Sequence, residues 1–389
     1  MSQFLGYDRT WLEQHGAIHT AKEISHQPIL WKTLIARLHE QQQDNNHFLC
    51  PLFAKPDLKI ILTGAGTSAY AGAAISPWLH QNTSLDVSAI ATTDIVSNPY
   101  EYLDETRPTL LVSFARSGNS PESVAAVNLV DQLVPDTYHL ILTCNPEGEL
   151  YRYAQNNDNA LCQLMPDGAN DQSFAMTSSY SCMTLAAITL LGSIPSTSVI
   201  EAVADLAEVT EKNLLEWQPV VKALAKAEFD RLIYLGSGGL AGVAQEAALK
   251  ALELTAGKVV TKFDSTLGFR HGPKFSINEN AVVIQLFSSN PYTSRYDRDL
   301  YNEIKQNNIA KSLIALTNTQ IPGVEGQVID VGLPQADDIW LTFPYIVFAQ
   351  MLAMEKSLAL GFTPDNPCPT GEVNRVVQGV TIYPYSQTH

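Results

Sequence analysis

The sequence predicts an α/β fold of three layers, with mainly parallel sheets flanked by helices, in which one unit occurs twice. Apolar runs typical of buried strands alternate with helical patterns along most of the chain. They form two sets of three, at 60–66, 110–118 and 140–145, and at 233–238, 282–289 and 313–318. The spacing repeats as well, since 51 residues separate Gly66 from Ser117 and 51 separate Gly238 from Ser289. Two copies of one α/β unit explain both observations.

The same pattern divides the chain into segments. Residues 1–50 are predicted to form a helical N-terminal extension, which ends near a polar, glutamine-rich run. Residues 51–200 and 215–362 form the two α/β domains, and a helix around 199–215 bridges them. Residues 363–389 form a C-terminal tail that we expect to close over the functional site.

Composition argues against several classes of function. A net charge of −16 disfavours binding to nucleic acid or to an anionic membrane surface. No apolar run reaches about 18 residues, so no transmembrane helix is predicted, and the N-terminus lacks the pattern of a signal peptide. The five cysteines are scattered, odd in number and never in a C-x-x-C pair. This favours reduced thiols in the cytoplasm and no metal site.

A glycine-containing loop follows the first strand of the first copy. Gly66, Thr67 and Ser68 precede a helix that we expect to open at Ala69. Free amides at the start of a helix favour an anion, and the two hydroxyls add donors. An ordinary strand-to-helix turn with a serine N-cap explains this piece equally well.

A second loop of the same kind follows the next buried strand, and Pro121 suits the first position of the helix after it. Its polar and glycine residues are Arg116, Ser117, Gly118, Asn119 and Ser120. Two such loops at the carboxyl ends of neighbouring strands converge on one crevice, so we predict a phosphate site. A dinucleotide site is disfavoured because the third glycine of that fingerprint is missing. The second copy has residues 288–291 in place of this loop. This suggests that one copy binds phosphate and the other supplies the acid–base groups.

One helix of the second copy carries a charged stripe. Glu246, Lys250 and Glu253 are spaced i, i+4, i+7 on a helix that is otherwise rich in Ala and Leu, and His271 follows after a loop. Buried charge is unfavourable without a partner, so the stripe should face a partner, a ligand or a cavity. Carboxylate, ammonium and imidazole groups suit proton transfer on a sugar. The alternatives without a catalytic role are that Glu246 and Lys250 form an ordinary ion pair on a helix and that His271 is an ordinary loop residue.

These motifs resemble those of the sugar isomerase (SIS) domain family. The matching residues are Gly-Thr-Ser at 66–68, Arg-Ser-Gly-Asn-Ser at 116–120, Glu-x-x-x-Lys-x-x-Glu at 246–253 and His-Gly-Pro at 271–273. The segments 173–178 and 364–380 are similar to the galactosamine-6-phosphate deaminase/isomerase branch (AgaS type), also described as tagatose-6-phosphate ketose/aldose isomerase. The resemblance implies two tandem SIS domains of flavodoxin- or Rossmann-like architecture.

The resemblance also implies roles for the residues of the stripe. Glu253 is implied as the proton shuttle between sugar carbons 1 and 2, with Glu246 and Lys250 in support. His271 is implied to open the pyranose ring and to act across a subunit interface, which implies a homodimer or a larger homo-oligomer. No metal or other cofactor is implied, and the partner is a hexosamine or ketohexose 6-phosphate.

The sequence differs from the related glucosamine-6-phosphate synthase in two respects, and these differences narrow the range of expected activities. No glutaminase domain is expected, since residues 1–50 are too short for it. The tail lysine that forms a Schiff base in the synthase is matched by Gln378, which becomes a candidate for contact with the substrate. Without that amine, non-covalent isomerisation or hydrolysis of an imine by water is expected, and the resemblance to the AgaS-type branch implies deamination of galactosamine 6-phosphate to tagatose 6-phosphate by acid–base chemistry. The alternatives are simple isomerisation of tagatose 6-phosphate, deamination of glucosamine 6-phosphate, and a sensor without turnover.

Overall fold

The structure, a computed structural model, describes residues 3–377 and 379–386. Within them the chain forms two compact units. The first-sheet unit comprises Thr33–Asn170, Ser179–Ile200 and Glu372–His389, and the second-sheet unit comprises Met1–Lys32, Asp171–Ser178 and Glu201–Gly371. Each unit contains one five-stranded sheet.

The N-terminal region is helical apart from a short antiparallel pair of strands. Its elements are β1 (Gln3–Phe4), β2 (Tyr7–Asp8), α1 (Arg9–Gln14), α2 (Ile18–Ser25), α3 (Gln27–Glu40) and α4 (Gln42–Phe53). Asp8 caps α1 by accepting a hydrogen bond from the Trp11 amide at 2.9 Å. Glu23 on α2 is buried and accepts hydrogen bonds from the amides of Gln172 and Ser173.

The first sheet is parallel throughout, with the strand order β4-β3-β5-β6-β7. Its strands are β3 (Lys59–Thr63), β4 (Asp86–Ala89), β5 (Thr109–Ala115), β6 (Thr137–Thr143) and β7 (Ala160–Leu164). Its helices are α5 (Thr67–Asn82), α6 (Thr92–Ser97), α7 (Pro99–Tyr102), α8 (Pro121–Leu133), α9 (Glu149–Gln155) and α10 (Ser178–Leu191). Every residue of β5 is buried, as expected for a parallel strand covered on both faces.

The second sheet is also parallel and has the order β12-β11-β10-β8-β9. Helices α11 (Ser196–Glu216) and α12 (Gln218–Lys226) precede it. Its strands are β8 (Arg231–Gly236), β9 (Val260–Ser265), β10 (Ala281–Leu286), β11 (Ser312–Thr317) and β12 (Gln327–Asp330), and its helices are α13 (Gly239–Leu254), α14 (Thr293–Asn307) and α15 (Asp338–Ala359). All six predicted strands are therefore present, and the predicted α/β class is confirmed.

Helix α15 packs against α12 and α13 and is buried on all sides over residues 341–357. A helix that is apolar all round belongs in a protein core or a bilayer. Among the described residues, however, neither α15 nor any other helix has the length and hydropathy needed to span a membrane.

The duplication is visible in the backbone. Gly66 and Gly238 are the N-cap residues of α5 and α13, with φ/ψ values of 55°/−126° and 57°/−129°. Only glycine adopts this region readily. The two copies thus make the same turn from strand to helix at the positions that the repeat predicted.

Candidate active site

The charged stripe of the second-sheet unit lies on α13. Glu246 and Lys250 have fully buried side chains, and the Glu253 side chain is 23% exposed. The Lys250 ammonium lies 3.4 Å from Glu246 Oε1 and donates a hydrogen bond of 2.5 Å to Glu253 Oε2. The lysine therefore links a carboxylate in the core to one that reaches the surface of the unit.

Electrostatics keep this lysine charged. Burial alone would lower the pKa of Lys250, because desolvation penalises an ammonium group. The charges of Glu246 and Glu253 and their hydrogen bonds outweigh that effect, so the pKa is raised above its ordinary value. The stripe is thus a cluster of two carboxylates and one ammonium group, in which the buried charges have one another as partners.

His271 belongs to the same unit and follows the edge strand β9, against which α13 packs. It lies between two short 3-10 turns, Gly268–Arg270 and Pro273–Ser276, and is exposed. Its amide donates to the carbonyl of Gly268 at 2.9 Å. An exposed imidazole on a loop is free to meet a ligand or a second protein chain.

The two loops predicted to bind phosphate belong to the first-sheet unit. They follow β3 and β5, which pair in parallel, so both leave the same edge of the sheet. Helix α5 begins at Thr67 with Gly66 as its N-cap, so the predicted start at Ala69 and the alternative of a serine N-cap were wrong. Thr67 and Ser68 are buried in the first turn of the helix.

The second loop begins its helix where the sequence predicted, with Ser120 as N-cap and Pro121 as the first residue of α8. Internal hydrogen bonds shape it. Ser117 Oγ accepts from the Asn119 amide at 3.3 Å, and Ser120 Oγ donates to Ser123 Oγ at 2.6 Å. Gly118 has φ +63°. A loop tightened in this way presents its amides in a fixed arrangement, which suits an anion.

Arg116, unlike the serines of the same loop, is hydrogen-bonded to the described part of the C-terminal segment. Its guanidinium is buried and donates a hydrogen bond of 2.7 Å to the carbonyl of Arg375 in the C-terminal segment. Arg375 in turn lies 3.3 Å from Asn170 Oδ1. Arg116 therefore connects the C-terminal segment to the second of the two loops predicted to bind phosphate, within the same unit. The remaining candidate, Gln378, lies outside the described residues.

The equivalent loops of the second copy are filled by two aspartates that sequence reasoning missed. Asp297 is fully buried and accepts hydrogen bonds from Ser237 Oγ at 2.8 Å, Thr266 Oγ1 at 2.6 Å and the Ser288 amide at 3.0 Å. Asp338 accepts from Ser288 Oγ and from the amide and hydroxyl of Ser289.

The position of Asp297 in the repeat corresponds to Ala125 in the first copy, if the Ser117–Ser289 spacing is continued. Burial raises the pKa of the Asp297 carboxyl, and its three hydrogen bonds oppose the shift. In the second copy, side-chain carboxylates thus accept hydrogen bonds from the donors of these loops. This asymmetry between Ala125 and Asp297 was the available sequence signal.

The fold and the two sets of groups define a protein with paired sugar-isomerase domains. The SIS domain model matches residues 52–192 and 223–322, more than half of the chain. The chain belongs to the SIS domain family.

Its relatives match along nearly their whole length. The chain is 47% identical to D-galactosamine-6-phosphate deaminase AgaS of Shewanella sp. (strain ANA-3), over 96% of this chain and 94% of the relative. It superposes with a TM-score of 0.96 on a candidate tagatose-6-phosphate ketose/aldose isomerase from Clostridium novyi NT, at 40% identity and over 99% and 100% of the two chains. The tagatose-6-phosphate ketose/aldose isomerase of Escherichia coli gives 0.87 at 42% identity, over 94% and 96%.

Proposed function

We propose that the protein is a deaminase that converts D-galactosamine 6-phosphate to tagatose 6-phosphate and ammonia. The observation that carries the proposal is the α13 cluster, in which Lys250 connects a buried carboxylate to the partly exposed Glu253. The names of the relatives, D-galactosamine-6-phosphate deaminase, support the choice of substrate.

The phosphate of the substrate is bound by the two loops of the first-sheet unit. Their amides, with the hydroxyls of Thr67, Ser68 and Ser117, supply the donors, and the start of α5 and of α8 favours negative charge. The filled loops of the second copy support a single phosphate site for each chain.

The chemistry is a proton transfer followed by hydrolysis. His271 protonates the ring oxygen while the anomeric hydroxyl loses its proton, so that the bond from carbon 1 to the ring oxygen breaks and the pyranose opens to the aldehyde. Glu253 removes the proton at carbon 2 while the aldehyde oxygen is protonated, which gives an enolamine. Glu253 then returns its proton to carbon 1, which gives a protonated ketimine. Water adds to carbon 2 and ammonia leaves, so that the ketose 6-phosphate remains. Each acid–base step of this kind contributes about 10²–10⁴-fold to the rate.

The test is ammonia release from galactosamine 6-phosphate, measured for the wild type and for Glu253→Gln. We expect the variant to bind the substrate within about twofold of the wild-type affinity and to lose at least about 10²-fold in kcat. Glu279→Gln, an exposed carboxylate of the same unit, is the matched control and should keep full activity. Unchanged turnover in Glu253→Gln would remove this residue from the mechanism.

A second candidate is isomerisation without deamination, which the names of the structural relatives favour. Interconversion of tagatose 6-phosphate with an aldose, without ammonia from any amino sugar, would select it. If ammonia is released faster from glucosamine 6-phosphate than from galactosamine 6-phosphate, the protein is a glucosamine-6-phosphate deaminase. Binding without any turnover would identify a sensor.

The proposal includes a homo-oligomer in which His271 serves the ligand of a neighbouring copy. Its exposure on a loop supports this role. Mixing inactive Glu253→Gln and His271→Asn proteins under subunit exchange should then restore activity, up to about a quarter of the wild-type level for a dimer with random pairing. No recovery in mixtures shown to exchange subunits would place His271 in the site of its own chain.

A further inference from the structure

The placement of the His271 ring depends on the backbone that carries it. The side chain is exposed and has no hydrogen-bond partner within the described part of the chain. Two short 3-10 turns flank the residue, and Gly272 between them has φ +113°. Whatever holds this segment therefore sets the direction of the imidazole.

Apolar packing holds the segment at its two ends, through Phe269 and the partly buried Ile277. Phe269, two residues before the histidine, is fully buried against Leu300, Ile304 and the strands of the second sheet. On the other side lies a hollow of about 310 Å³, lined by Gly272 and Ile304 among others. Phe275 borders the hollow and is 93% exposed. Packing thus anchors the chain at Phe269 and at Ile277, but none of the residues 270–276 between them is fully buried.

A charged clamp occupies the place where packing is absent. Glu303 on α14 accepts a hydrogen bond from Arg270 Nε through its Oε2 at 2.8 Å and pairs with the Lys274 ammonium through its Oε1. Arg270 precedes His271 directly, and Lys274 follows it by three residues. The hydrogen bond from Lys274 outweighs burial and, with Arg270, lowers the pKa of Glu303, so the clamp stays charged.

The base of this clamp is rigid. Leu300 and Ile304, on either side of Glu303 in α14, are buried in the same core cluster as Phe269. We infer that Glu303 is a positioning residue for His271, acting by holding both ends of the loop against α14. This inference rests on the proposed function, in which His271 opens the sugar ring.

The test is a double-mutant cycle on ammonia release with Glu303→Gln, His271→Asn and the double variant. We expect Glu303→Gln to lower kcat about tenfold with KM within about twofold, because it displaces a catalytic group without removing it. The double variant should be no slower than His271→Asn alone, since Glu303 acts through that ring. Asp299→Asn, an exposed carboxylate on the same helix, should match the wild type.

The outcomes separate this inference from the proposed function. If the fold-losses in kcat of Glu303→Gln and His271→Asn multiply in the double variant, Glu303 acts independently of His271 and the inference is overturned. Wild-type kcat in Glu303→Gln with a slow His271→Asn would overturn the inference and leave the proposed function intact. Wild-type kcat in His271→Asn would overturn both assignments. If Glu303→Gln fails to fold, Lys274→Gln removes one arm of the clamp and should show the same non-additivity with a smaller loss.

Discussion

Replacing Lys250 with methionine tests the energetics of the α13 cluster. The variant leaves Glu246, whose side chain has no exposed surface, without its cation. At 3.4 Å and an effective dielectric constant of about 20, that pair is attractive by about 5 kcal/mol before desolvation. Removing one partner of a buried pair typically costs about 3–5 kcal/mol. We expect a loss in this range in the free energy of unfolding, measured by urea denaturation and far-UV circular dichroism.

The chain offers a matched control on its surface. Lys212 and Glu216 form an i,i+4 pair at 3.3 Å with side chains that are 71% and 56% exposed. Lys212→Met should change the free energy of unfolding by no more than about 0.5 kcal/mol. The double variant Glu246→Gln/Lys250→Met should recover part of the Lys250→Met loss, because it leaves no buried charge on Glu246. If Lys250→Met is as mild as Lys212→Met, the cluster is not the buried charge network described above.

Two other predictions concern buried carboxylates. Burial, with the charge of Asp171, raises the pKa of Glu23 to about 8. Because this lies above the unfolded value of 4.5, its contribution to stability is complete below that pH and is lost as the pH rises towards 8. Glu23→Gln should therefore gain stability relative to the wild type from pH 5 to about 8 in thermal unfolding, and parallel curves would contradict this. Asp297→Ala should lose about 3 kcal/mol or more, because three donors lose their acceptor. If Asp297→Ala loses no more free energy of unfolding than Asp299→Ala, the hydrogen bonds that Asp297 accepts do not stabilise the fold as described.

The six inner strands could be predicted because each is buried along most of its length, whereas the outer strands β4, β7, β9 and β12 are partly exposed and were not predicted. A parallel strand covered on both faces is apolar along its length, as in β5, whichever neighbours it has. The stripe on α13 could be predicted for a similar reason, since residues at i, i+4 and i+7 share one helix face. The start of α5 was missed by two residues because the turn uses Gly66 at positive φ, and pattern alone does not specify dihedral angles.

The groups that sequence reasoning missed all bind partners distant in the chain. Helix α14 is rich in charged residues, which is typical of a solvent-exposed helix, yet Asp297 on it is fully buried. Its acceptor role depends on Ser237 and Thr266, which lie more than two dozen residues away. Glu303 likewise finds Arg270 and Lys274 only because α14 packs beneath their loop.

The sequence by itself determined the α/β class, the duplication, the six inner strands and the residue types available for acid–base chemistry, because these depend on local periodicity and composition. Only the tertiary structure decided which charges are neutralised within the protein and by which partners. Asp297 is an ordinary charged residue in sequence, and for Lys250 the sequence predicts a buried stripe but not its geometry. Burial against particular donors and carboxylates makes Asp297 the acceptor of hydrogen bonds from the loops of the second copy and Lys250 the cation that contacts Glu253.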